Sequence, residues 1–134
     1  MALQLQTALQ SQDVESIVEV LKKLFARIPY QIHARAEKFY HAILQATFII
    51  AGMNAHAEYS TSHGRIDIII EETDVIYIVE VKFNVSASKA LAQIEERKYY
   101  TGFVQSNKKI ILLGLAFKRS KTKFDIKYAV KQLV

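Results

Sequence analysis

Two runs rich in β-branched residues stand close together in mid-chain, Gly64-Arg65-Ile66-Asp67-Ile68-Ile69-Ile70 and Val75-Ile76-Tyr77-Ile78-Val79-Glu80-Val81-Lys82-Phe83. Both are too short for typical helices, and the polar interval Glu71-Glu72-Thr73-Asp74 between them predicts a hairpin of buried strands. Residues 2 to 10 lack a strong stripe and read as a frayed helix. Asp13 is a fair N-cap for a helix whose Ile17, Val20, Leu21, Leu24 and Phe25 keep the 3.6-residue period until Pro29 ends it. A second helix is expected from Ala34 to Ala51, stopped by Gly52, with Tyr40, Ile43, Leu44, Thr47 and Phe48 on its apolar face.

Asn54 to Ser60 reads as a first strand. After Phe83, Ser86 or Ser88 can cap a helix running to about Phe103, with Ala87, Ala90, Leu91 and Ile94 buried and Gln93, Arg97 and Tyr100 on another line. The unbroken apolar run Ile110-Ile111-Leu112-Leu113-Gly114-Leu115 suits a central strand covered on both faces. Together with the Glu80 strand and the intervening helix it makes a βαβ unit with parallel strands. Phe117 to Lys123 is a basic loop. Phe124, Ile126, Tyr128 and Val130 then alternate with polar residues, as in an edge strand with one wet face.

Composition narrows the picture without changing it. At 134 residues, 51% hydrophobic and 23% charged, with one Pro and four Gly, the chain is a single globular domain, 1–134, in which 1–28 form an N-terminal helical extension. Cysteine is absent, which excludes a disulfide framework and a thiolate zinc site. No apolar run reaches the length of a membrane span and no signal-peptide pattern opens the chain, so the expectation is a cytoplasmic protein with no membrane partner. The net charge of +5 is unevenly spread: residues 1–81 hold six Lys/Arg against ten Asp/Glu, and residues 82–134 hold twelve against three. An acidic pocket beside a basic half suits a polyanion, although a Lys-rich segment is more often simply a solvated surface.

The hairpin carries the candidate chemistry. Alternation puts Glu80 and Lys82 on one face of their strand, and a turn centred between Thr73 and Asp74 would set Asp67 opposite Glu80, with Cβ atoms roughly 5 Å apart. Buried carboxylates side by side repel unless a cation lies between them, and oxygen ligands without Cys favour magnesium or manganese. A hairpin register shifted by one residue would turn Asp67 to the other face, leaving Glu80 and Lys82 as a structural ion pair. No phosphate-cradling Gly-rich loop, H-E-x-x-H or Ser nucleophile elbow is present.

Asp67 followed by Glu80-Val81-Lys82 resembles the D…(D/E)-x-K core of the PD-(D/E)XK nuclease superfamily. From about Ile28 to Phe117 the chain resembles the nuclease-like domain often found behind an AAA-ATPase-like module. The motifs are I-P-Y, E-x-x-Y-H at Glu37 to His41, G-R-I-D, E-V-K, and A-L-x-Q-I at Ala90 to Ile94. Ile66 stands where the superfamily label has Pro, a change that leaves the Asp side chain free to ligate. The resemblance implies an α/β, restriction-endonuclease-like αβββαβ core with a mixed central sheet flanked by helices. It implies a Mg2+- or Mn2+-dependent nuclease acting on DNA, with an ATPase-like module as partner in a longer parent protein; a homodimer is left open.

On the resemblance, Asp67, Glu80 and the Val81 backbone carbonyl bind metal, Glu37 adds a third acid directly or through water, and Lys82 orients water or steadies the phosphate. Gln93 and Tyr99 resemble a Q…Y motif in which the Gln fixes the Lys or the substrate backbone, and Glu58 is a substrate-side candidate. Each has a plainer alternative. Glu37 near a helix start is favoured by the dipole while fully solvated. His41 either contacts substrate or satisfies a buried hydrogen bond. Arg65 either contacts a phosphate or pairs with Glu58. The basic loop either touches phosphate or guards an edge strand. A different class of function is also open: a catalytically silent nucleic-acid-binding or scaffolding domain that keeps the nuclease fold.

Overall fold

The computed structural model describes residues 2–28, 37–120 and 123–133, apart from the Glu37 side chain. Three helices, α1 (Ala2–Gln10), α2 (Val14–Ala26) and α3 (Glu37–Ile50), precede three strands, β1 (Ala55–Thr61), β2 (Gly64–Glu71) and β3 (Val75–Phe83). Helix α4 (Ala87–Arg97), a 3-10 helix (Tyr99–Ser106) and strands β4 (Lys109–Arg119) and β5 (Phe124–Leu133) complete the chain. The strands form one mixed sheet in the order β1-β2-β3-β4-β5. Only the β3–β4 pair is parallel, as the crossover through α4 requires. This is the α/β, restriction-endonuclease-like architecture expected from the sequence.

The β2–β3 pairing sets Ile68 opposite Val79 and Ile70 opposite Tyr77, the register that a turn centred between Thr73 and Asp74 demands. Residues alternate between two apolar layers. Ile68, Ile70, Tyr77, Val79, Val81, Leu113, Leu115 and Phe117 face the first three helices, while Ile76, Ile78, Ile110 and Leu112 pack under Ile94 of α4 and Tyr99. The segment read as an extension supplies Leu5, Leu9, Ile17, Leu21 and Phe25 to the larger layer, each completely buried or nearly so. Burying each such side chain contributes roughly 1.5–3 kcal/mol. The Tyr77 hydroxyl, buried beneath α1, donates to the Leu9 carbonyl at 2.6 Å, and its pKa lies well above that of an ordinary phenol because of that burial and the nearby Glu72.

Caps behave as their chemistry predicts, with one exception. The Asp13 carboxylate accepts from the Ser16 amide at 3.1 Å and the Ser16 hydroxyl at 2.7 Å, which holds its pKa low. Ser86 caps α4 by accepting from the Lys89 amide at 3.3 Å. The helix expected to reach Phe103 instead breaks at Lys98, whose left-handed backbone (φ 52°) ends α4 and redirects the chain into the 3-10 helix. On β5, only Ile126 of the four alternating apolar residues is buried; Tyr128 and Val130 stay about 40% exposed. Pro29, Lys121, Thr122 and the expected α3 start at Ala34 lie outside the described residues.

At Gly114 of β4 the α4 backbone comes close to the sheet. A Cβ there would lie 2.6 Å from the Ala87 carbonyl oxygen and 2.7 Å from the Leu91 nitrogen, both backbone atoms of α4. Gly114 pairs with Glu80 across β3–β4, so this glycine sets the height at which α4 rides over Glu80. Gly114→Ala is expected to destabilise the protein by about 1–3 kcal/mol in urea denaturation, since helix backbone must be displaced. Gly102→Ala, where a Cβ meets nothing within 4 Å, is the control. A Gly114→Ala protein as stable as the control would show that α4 is not seated this tightly.

Candidate active site

Glu80 belongs to a strand buried along most of its length, and it is the one charged side chain among the buried residues described, only 3% exposed. Its Oε2 accepts from Gln93 Nε2 at 2.6 Å and lies 3.4 Å from Lys82 Nζ. Its Oε1 is buried with no hydrogen-bond partner among the described residues. Burial raises the Glu80 pKa, the neighbouring Asp67 charge raises it further, and Lys82 and Arg97 draw it partly back; the result is about 7.

Asp67 meets this group through a parting of the strands. The β2–β3 ladder runs from Glu71↔Ile76 to Ile68↔Val79. One step further, where the register sets Asp67 opposite Glu80, the Val81 amide donates to Asp67 Oδ2 at 2.8 Å. A residue's N–H and C=O leave a strand by the same edge, so the Val81 carbonyl also faces the β2 side. On the other side of β2, Glu58 takes a left-handed backbone (φ 50°) where the β1–β2 register skips the pair between Ala57↔Ile68 and Tyr59↔Ile66. The sheet is thus irregular on both sides of Asp67, and its carboxylate keeps 20% of its side-chain surface in contact with solvent.

His41 reaches the same place from α3. Its Nε2 is buried without a hydrogen-bond partner among the described residues and stands 3.9 Å from Asp67 Oδ2. Lys38, His41, Gln45, Glu58 and Asp67 line a cleft of about 360 Å³ between α3 and the β1–β2 pair. The buried-bond alternative for His41 is therefore not realised on Nε2 within the described residues. Glu37 opens α3, but its side chain lies outside the described residues, as does the I-P-Y motif beyond Ile28.

The remaining sequence candidates divide. Gln93 bonds Glu80, the acid that also faces Lys82, and its Nε2 is 3.5 Å from the Tyr99 hydroxyl. Tyr99 is buried and accepts from Arg97 Nη1 at 3.3 Å. Arg65 is exposed, lies opposite Ser60, and forms no ion pair with Glu58 among the described residues. The role of Arg97 beside Glu80 escaped the sequence reading, although its spacing of four from Gln93 on one helix was the available signal. Gly64, with φ +124°, begins β2 directly over Tyr99: an added Cβ would meet the ring at 3.3 Å and Arg97 Nη1 at 3.8 Å.

Two acids, a lysine and an amide-bearing side chain therefore converge where the sheet opens. Among the described residues no three His, Cys, Asp or Glu side chains gather closely enough to hold a metal ion by themselves. The donor types nonetheless suit a hard divalent cation: Glu80 has a buried oxygen without a partner among the described residues, Asp67 is its charged neighbour, and the Val81 carbonyl faces the β2 side. No helix among the described residues is long and apolar enough to cross a membrane.

The chain is 29% identical over 123 residues to an uncharacterized protein of the vnfD 5′ region in Azotobacter chroococcum mcd 1, an alignment covering 87% of this chain and 24% of that protein. The chain thus spans about a quarter of the length of that relative. The profile of the PD-(D/E)XK nuclease superfamily matches residues 35–126, the interval holding α3, the split hairpin, α4 and β4, and the chain belongs to that superfamily.

Proposed function

We propose that this protein is a divalent-metal-dependent nuclease that hydrolyses phosphodiester bonds of DNA. The observation that carries the proposal is the buried Glu80 with one oxygen unpartnered, next to Asp67 and 3.4 Å from Lys82. Asp67, Glu80 and the Val81 carbonyl would hold the cation, with Glu37 completing the set. A bound magnesium or manganese ion would polarise the phosphate and lower the pKa of an attacking water. Gln93 fixes one oxygen of Glu80, leaving the other free to ligate. Lys82 supplies a fixed positive charge where negative charge develops on the phosphate. His41 and Lys38 line the cleft on the Asp67 side, where a substrate backbone would run.

Cleavage of single-stranded, duplex and branched DNA with magnesium or manganese tests this directly. Asp67→Ala and Lys82→Ala are each expected to lower kcat at least about a hundredfold, the scale of losing one preorganised electrostatic contact. Cleavage that survives both substitutions would reject the site. DNA binding with no metal-dependent cleavage would establish the silent-domain alternative instead.

Glu80 gives a second test that needs no DNA. Its folded pKa of about 7 lies above the usual carboxylate value of 4.5, so the folded chain holds the proton more tightly than the unfolded chain. Without metal, the contribution of Glu80 to stability is then fully present below about pH 4.5 and is lost as pH rises through about 7. Glu80→Gln should flatten that decline and raise the metal-free Tm at pH 8, by on the order of 5 °C. It should also abolish the rise in Tm that magnesium gives the wild type. A lower metal-free Tm for Glu80→Gln would show that the Glu80–Lys82 pair serves stability and not cation capture.

A further inference from the structure

Beside the acids, on the α4 side of the sheet, a row of rings lies outside the machinery described so far. Tyr59 of β1 is 41% exposed although it packs on Phe103 of the 3-10 helix, with ring centroids 5.9 Å apart. His56, also exposed, continues the row at 6.4 Å from Tyr59. Edge strands usually carry charge or Pro to discourage pairing, so an edge that exposes aromatic surface invites another explanation.

The register ties this row to the acids. Tyr59 pairs with Ile66, and the β2–β3 register carries Ile66 across to Val81, one residue from Glu80. Two strand spacings, about 10 Å, separate Tyr59 from the strand of Glu80. Between them lies Arg97, over Gly64 and bonded to the Tyr99 hydroxyl, with Lys98 exposed next to it. Flat rings bordered by cations, in line with a phosphodiester site, match the means by which proteins hold unpaired nucleotides: the base stacks and the phosphate meets a basic group.

We infer that Tyr59, backed by Phe103 and flanked by His56, is a stacking subsite for an unpaired base a few nucleotides from the scissile phosphate. The substrate class is therefore single-stranded nucleic acid, or a strand with an unpaired end or flap. This rests on the nuclease reading and narrows it. A paired base within a continuous duplex is covered on both faces by its neighbours and has no π face to offer Tyr59.

The test uses the full chain in EDTA and a single-stranded oligonucleotide with one 2-aminopurine base, beside a duplex of the same length. Wild type should bind the single strand and quench the probe at one register. Tyr59→Ala should weaken single-strand binding about tenfold, within the range for loss of one stacked base, and remove the quenching. Tyr59→Phe, which keeps the ring, should behave as wild type, and circular dichroism with Tm checks that each variant folds. Tyr59→Leu fills the same edge without a π face and should behave like Tyr59→Ala. Single-strand binding unaffected by Tyr59→Ala and Tyr59→Leu, or weakened equally on duplex, overturns the subsite. If wild type cleaves duplex DNA while the Tyr59 variants match it on every substrate, only the subsite falls. If wild type neither binds nor cleaves any DNA, the nuclease reading falls and takes the subsite with it.

Discussion

A carboxylate in the middle of a sheet is expensive, and most of the local architecture answers to that cost. Glu80 occupies a strand position that an apolar residue would fill more cheaply, in an environment that disfavours its charge. One amide, one ammonium and one guanidinium offset part of the penalty through Gln93, Lys82 and Arg97. Among the described residues the compensation is incomplete by one oxygen. A half-satisfied buried network costs more than an apolar core, and the proposed metal role of Glu80 would give that oxygen its partner.

Holding Glu80 in this state requires rigid elements on both faces. From one side, α4 supplies Gln93, and it can do so only because Gly114, opposite Glu80, lets helix backbone approach the sheet. From the other side, Val79 and Val81 are pinned against α1, α2 and α3, with Tyr77 bonded to the last turn of α1. Helices α1 and α2 therefore bear on the acids only through β3, whereas α3 also brings His41 to Asp67.

How much of this could be read from residues alone follows from which forces are local. The two central strands, their register and the Asp13 and Ser86 caps were legible because β-branched runs, a short polar turn and a capping side chain act within a few residues. Register brings Asp67 to the level of Glu80, but the parting of β2 from β3, through which Asp67 faces the α3 cleft, left no mark in the residues. The break at Lys98 was hidden, since a non-glycine residue in a left-handed backbone leaves no clear compositional mark. The partner of Gln93 was hidden as well: it depends on the height of α4 over β4, and hence on Gly114, which in sequence is only one small residue in an apolar run. Tyr128 and Val130 misled because alternation reports which residues share a face and says nothing about whether an element covers that face.

The two acids are not equivalent, and the difference bears on how a phosphodiester could reach them. Asp67 sits in the parting between β2 and β3, accepts one backbone amide and opens toward the α3 cleft with His41 and Lys38. Glu80 belongs to the α4 side, where its neighbours are Gln93 and Arg97. A group that touches both must enter where the strands separate, past the end of the β2–β3 ladder, and cannot approach across either closed face. Some basic residues of the second half stand at that end, while Lys108 and Lys109 lie at the opposite end of the sheet. Lys118 and Arg119 follow the Phe83↔Phe117 pair, and the Arg119 amide is tied to Asn84 Oδ1 at 3.0 Å, just beyond Lys82. Asp125 bonds Lys22 and Lys127 and so neutralises part of the flank nearest β5.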